Sequence, residues 1–105
     1  MSEIWLIRIT FAKKDEAISV ARAMLEEKLV ACANISETMT ALYRWEGMVQ
    51  QENETAVLFK TVAAKVPQAV AHLKTLHSYQ IPSIVAWRAE VVEPAFADWV
   101  ATEVS

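Results

Sequence analysis

One thiol, two imidazoles and a close pair of carboxylates are the groups in this chain with obvious chemical capacity. Cys32 stands between Ala31 and Ala33 at the start of a strand-like stretch. As a nucleophile it would need a neighbouring base or an electropositive setting to form the thiolate. Among alanines it reads more simply as a small buried hydrophobe. His72 and His77 lie five residues apart. On one helix they would point about 140° from each other, so they cannot chelate a single ion while the helix persists. His72 reads as a surface residue. His77 closes the helical pattern, where an imidazole can favour exposed carbonyls. Glu52 and Glu54 have the two-residue spacing that puts both carboxylates on one face of a strand. That arrangement serves acid–base chemistry, oxygen ligation of a metal, or a solvated outer face.

Lys60 interrupts the apolar run AVLFKT, either snorkelling outward or placing a positive charge in a ligand pocket. Trp5, Trp45, Trp87 and Trp99, with Tyr43 and Tyr79, form a large aromatic complement. In an acidic chain they do not read as a nucleotide-stacking surface. Trp45 and Trp99 read as interface anchors. A Ser/His/Asp set, zinc-ligand spacing and the H-x-E motif are all missing from the sequence. An enzyme built on Cys32 or on the Glu52/Glu54 pair is the weakest of the readings.

The elements that must position these groups are legible from periodicity. Leu29 to Thr61 reads as two long strands meeting at Glu46-Gly47, which includes the only glycine. Each arm holds about a dozen residues, so the ribbon would reach roughly 40 Å. A domain of this size has a radius of gyration near about 13 Å. The ribbon would overhang its own core, and its aromatic residues would face water unless another subunit covered them.

Before the ribbon, Ile4–Phe11 is a nearly continuous apolar strand broken by Arg8 and Thr10. A helix follows, with Asp15 and Glu16 in its first turn and Ala17, Val20, Ala21, Met24 and Leu25 as its apolar face. After the ribbon, Pro67 requires a second helix to begin near Val66, with Val66, Val70 and Leu73 as its buried stripe. Ile84–Val92 reads as a further strand. Pro94 opens a last helix with Phe96, Trp99 and Val100 on one side. Residues 1–105 thus form one α+β domain, a ferredoxin-like βαββαβ sandwich with a long central hairpin and a C-terminal helix. Two helices would cover one face of a four-stranded antiparallel sheet, leaving the other face to partner subunits.

Composition narrows the setting. With 54% hydrophobic residues the chain can bury a core, and its net charge of −3 argues against a nucleic-acid surface. A single cysteine excludes an intrachain disulfide and suits a reducing compartment. No apolar run is long enough for a membrane span, so the expectation is a cytoplasmic protein without membrane or nucleic-acid partners. One glycine also rules out a glycine-rich phosphate loop.

ACANI, the YRWEG turn, LFKT, HSYQIP and FADW, taken in order, resemble the motifs of the CutA family. The resemblance spans about residues 4 to 102. It implies a homotrimer akin to the PII signalling proteins and a link to tolerance of copper and other divalent cations, without established enzymatic activity. It also implies an inter-subunit cleft gathering Cys32, Tyr43, Trp45, Glu54, Lys60, His77 and Tyr79, with His77 joining Tyr79 in a polar cluster. Glu54, His77 and Cys32 are then the candidate metal ligands. Tyr43, Trp45, Lys60, Tyr79 and Trp99 are the candidate cleft or interface residues. The chain departs from the family pattern at Ile9, Leu76, Ser78 and Ser83, where other members place a thiol, a histidine, a proline and an acidic residue. Weak binding of copper or another divalent cation is the expectation. The alternative is a PII-like module that takes a small anion or metabolite, with Lys60 and Arg44 as charge partners. An unidentified protein partner is also compatible with the resemblance.

Overall fold

The computed structural model describes residues 2–105. Within them the order is β1 (Ile4–Phe11), α1 (Lys14–Glu26), β2 (Cys32–Ile35), β3 (Met39–Trp45), β4 (Met48–Val62), α2 (Val66–Leu76), β5 (Val85–Arg88) and α3 (Pro94–Glu103). A single 3₁₀ turn, Ala63–Lys65, leads into α2. The strands are antiparallel in the order β2-β4-β1-β5, and β3 pairs with the first half of β4. The α+β, ferredoxin-like arrangement expected from the sequence is therefore present.

Alternation along the strands sorts the two faces of the sheet. Ile7, Ile9 and Phe11 of β1 lie opposite Phe59, Val57 and Thr55 of β4. These side chains are buried against Ala17, Val20, Ala21 and Met24 of α1 and against Ala69 and Leu73 of α2. Full burial of each large side chain contributes about 1.5–3 kcal/mol, so this layer is the main source of stability. Ile4 and Val62 belong to the other face. There α3 covers one end of the sheet with Ala97 and Val100.

α1 ends in a Schellman motif: Leu29 N–H donates to Met24 O and Lys28 N–H to Leu25 O. Lys28 occupies the left-handed position with φ 57°, where glycine is usual. α3 starts with Pro94 directly after Glu93, whose carboxylate accepts from Phe96 N at 2.9 Å.

Several expectations are corrected. The first arm of the ribbon is two strands, because Ser36-Glu37-Thr38 interrupts it. Ala56 N–H donates to the Ser36 hydroxyl at 2.9 Å, and Ser36 N–H donates to Ala56 O at 2.9 Å. A side-chain oxygen thus completes the ladder while the backbone steps aside. β5 is shorter than Ile84–Val92, because only Trp5 to Arg8 of β1 pair with it. α2 buries Ala69 and Leu73 fully, and Val70 and Leu76 only in part. Leu25 and the Phe96/Trp99 pair face outward, and Ala97 and Val100 form the buried side of α3. The face opposite α1 and α2 is not wholly free, since α3 sits on part of it.

The hairpin turn is as expected. Glu46 (φ 49°) and Gly47 (φ 80°) both take positive φ, the requirement of a type I′ turn. β4 runs for 15 residues, and only its second half is flanked by β1 and β2. Its first half leaves the body paired with β3 alone, which accounts for extents of 45 × 26 × 24 Å and a radius of gyration of 14.4 Å.

Candidate functional site

The segment after α2 crosses the end of β1 and brings polar groups from distant parts of the chain together. His77 caps no helix end with its ring. The imidazole is buried, stacked on Phe11 with centroids 4.5 Å apart. Tyr79 N–H donates to His77 Nδ1 at 2.9 Å, so the ring proton resides on Nε2, which donates to Thr10 O at 2.6 Å. Both ring nitrogens are occupied by the fold. The helix-capping expectation for His77 is thus replaced by a core role, and its expected association with Tyr79 is present, with ring centroids 4.7 Å apart.

Tyr79 and Ser83 then reach the sheet face opposite α1 and α2. Tyr79 OH donates to Glu54 Oε2 at 3.0 Å, and Thr10 OH donates to the same oxygen at 3.3 Å. Ser83 Oγ lies 2.8 Å from Thr10 Oγ1 and accepts from Thr10 N–H at 3.3 Å. Met39, Ala41 and Tyr43 share this face with Glu54, Glu52 and Gln50, their register partners. Together they border an open groove of about 850 Å³ at the root of the ribbon, with Trp45 toward its tip and Arg8 as its cation.

Both tyrosines of the chain line this groove. Burial, followed by the hydrogen bond and charge of Glu54, holds the Tyr79 phenol well above the ordinary tyrosine range. Partial desolvation, followed by the charge and hydrogen bond of Glu52, also raises Tyr43. The Tyr79 phenol therefore stays protonated above the ordinary tyrosine range and keeps donating to Glu54 there.

The structure joins Tyr43, Trp45, Glu54 and Tyr79 in one groove, with His77 supporting it from behind. It does not bring Cys32, Lys60 or Trp99 there. Cys32 pairs with Lys60, six residues beyond Glu54 on β4, or about 20 Å along the strand. Its thiol is half-buried rather than buried, on the face away from α1 and α2. Lys60 Nζ donates to Asn34 Oδ1 at 2.6 Å, and Trp99 stacks on Phe96 at 5.8 Å in α3. Arg44 lies at the ribbon tip, donating to Gly47 O at 3.2 Å. Among the described residues no three His, Cys, Asp or Glu side chains converge as a metal shell, so one chain alone does not fit a closed metal site.

Thr10, Ser83, Arg8 and Gln50 were not singled out from the sequence as site residues. The available signal was alternation: Arg8 and Thr10 share a face of β1, as Glu52 and Glu54 share one of β4. In the sequence, Ser83 stands out only for the carboxylate it lacks.

The sequence pattern of the CutA1 divalent ion tolerance protein family matches residues 5–103. The divalent-cation tolerance protein CutA of Thermus thermophilus is 35% identical over 95 residues, covering 90% of this chain and 92% of that protein. The crystal structure of the divalent ion tolerance protein CutA1 from Ehrlichia chaffeensis matches with a TM-score of 0.96 at 30% identity, covering 100% of this chain and 98% of that one. A protein from Archaeoglobus fulgidus, described as a periplasmic divalent cation tolerance protein, matches with a TM-score of 0.93 at 33% identity over 97% and 99% of the two chains. No helix among the described residues is long and apolar enough to cross a membrane. By sequence pattern and by fold, the chain belongs to the CutA1 divalent ion tolerance protein family.

Proposed function

We propose that the chain serves divalent-cation tolerance as a cytoplasmic homotrimer, binding copper or another divalent cation weakly in the groove, where a neighbouring subunit closes over it. The observation that carries this reading is the position of Glu52 and Glu54 at the root of an uncovered apolar ribbon. On the ribbon face that carries the glutamates, Tyr43, Trp45 and Met48 are 39%, 43% and 67% exposed, and Leu42 and Val49 are 68% and 66% exposed on the opposite face. A patch of this kind on a lone chain calls for a partner surface. A second copy laid against the glutamate-bearing face would cover Tyr43, Trp45 and Met48 and enclose the carboxylates in one step.

Hard divalent cations take carboxylate oxygens, and both hydrogen bonds to Glu54 fall on Oε2, which leaves Oε1 for a ligand. His77 would ligate only by giving up a hydrogen bond of the core, and Cys32 would have to come from another subunit. These two constraints are the physical reason to expect weak affinity. The reading includes no catalytic step. A small anion is disfavoured in this groove, which carries two carboxylates against the single guanidinium of Arg8, while Lys60 and Arg44 lie elsewhere.

Native mass spectra of the protein, alone and with a slight excess of copper or zinc, test both halves. A trimer that gains metal, and gains less after Glu54→Ala or Glu52→Ala, is the expected result. A stable monomer would overturn the shared cleft, and a trimer that takes up no metal would overturn the cation site.

A further inference from the structure

The groove has a second property that a bare metal ion would not use: its two carboxylates stand in a row alongside an aliphatic strip. Glu52 and Glu54 lie two residues apart on one face of β4, so they are spaced about 6.6 Å along the strand. Met39 and Ala41 are their register partners on β3 and supply an aliphatic surface beside them. Tyr43, Trp45 and Tyr79 line the groove, and aromatic rings beside carboxylates favour organic ammonium groups.

One end is built for three donors. Thr10 Oγ1 is 3.3 Å from Glu54 Oε2 and 2.8 Å from Ser83 Oγ, so a carboxylate and two hydroxyls cluster within hydrogen-bonding reach of one another. An ammonium group has three N–H donors and no acceptor, which matches that trio. At the other end Glu52 is exposed, with Tyr43 and Gln50 nearby to complete a looser contact. In the single chain the groove has a volume of about 850 Å³, room for a flexible chain as well as a compact ion.

We propose that this groove binds a linear aliphatic diammonium ion, one nitrogen at Glu54, Thr10 and Ser83, the other at Glu52, and the methylenes over Met39 and Ala41. An extended four-carbon diamine holds its nitrogens about 6 Å apart, from five single bonds of roughly 1.5 Å, close to the spacing of the two glutamates. Arg8, the other charged group of the lining, leaves the groove with a net negative charge and disfavours longer ligands that would extend toward it. The inference concerns the same groove as the metal reading but does not rest on it, since metal-free protein should bind the diamine.

The test is isothermal titration of the chelator-treated protein, in whatever assembly it forms, with 1,4-diaminobutane and with butylamine. Saturable binding of the diamine at about one per chain is expected, with butylamine weaker by about tenfold because one charge-assisted contact is lost. Glu52→Gln changes an exposed side chain that the fold does not need. It should reduce the diamine to the affinity of the monoamine and leave butylamine unchanged. Thr10→Val should weaken both amines. No saturable heat up to about 10 mM diamine, equal affinity for the two amines, or a Glu52→Gln variant that binds like the parent would each overturn the proposal.

Discussion

Replacing His77 by alanine should cost the fold far more than a surface ligand could. The Thr10 carbonyl would lose its only side-chain donor in a buried position, a penalty of about 1–3 kcal/mol. Tyr79 N–H would lose its acceptor, but it lies where water can reach, so its share is about 1 kcal/mol. Removing a ring stacked 4.5 Å from Phe11 adds about 1 kcal/mol for the aromatic contact and more for the cavity left behind. The sum is about 3–5 kcal/mol. Urea unfolding of both proteins at equal concentration measures it, with equal slopes required so that any oligomer contribution cancels. His72→Ala is the control: among the described residues no hydrogen bond or stacking contact holds the His72 ring, so its cost should stay within about 1 kcal/mol. A loss below about 1 kcal/mol for His77→Ala would refute the assignment of its ring to the core and return it to the pool of free metal ligands.

Three further outcomes follow from geometry. Lys28→Gly relieves a left-handed non-glycine residue within an otherwise intact Schellman motif, so it should stabilise by about 0.5–1 kcal/mol in thermal or urea unfolding. Ser36→Ala removes the oxygen that accepts from Ala56 N–H in the interrupted ladder and should destabilise by about 1–2 kcal/mol by the same assays. The third concerns pH. Both phenols lie above their ordinary value in the folded protein, so the native state holds protons that the unfolded state releases above about pH 10. Stability should therefore be unaffected below that point and fall as pH rises through it. Because the chain has only these two tyrosines, ultraviolet absorbance of tyrosinate reports them directly, and Glu54→Gln should bring one transition back toward the ordinary range.

Much of the fold was legible in the sequence because its signals are local. The apolar run Ile4–Phe11, the acidic first turn at Asp15 and Glu16, Pro67 and the Glu46-Gly47 turn each act through their immediate neighbours, and each stands where periodicity placed it. What was not legible depends on partners distant in sequence. Whether Ser36 continues a strand or breaks it is decided by Ala56, twenty residues away. The burial of His77 depends on Phe11 and Thr10, 66 and 67 residues earlier. Phe96 and Trp99 outrank Ala97 in hydrophobicity, yet the close approach of α3 to Ile4 selects the small residue for the interior. Of the candidate site, the glutamate spacing and the aromatic residues were visible. The hydroxyls of Thr10 and Ser83 gain a role only when β1 and the segment after α2 meet.

β4 has one more consequence. From Thr55 onward it is paired with β1, with β2 on its other edge from Val57 to Lys60, and backed by helices, whereas from Met48 to Asn53 it has a single partner and no roof. Amide protons on the two halves should therefore exchange by different routes, the first half by local fraying and the second by opening of the whole molecule. Glu54 stands at the seam. Anything that settles in the groove would clamp the frayed half to the body, and its arrival could be read from slowed exchange at the ribbon, well away from the atoms it touches.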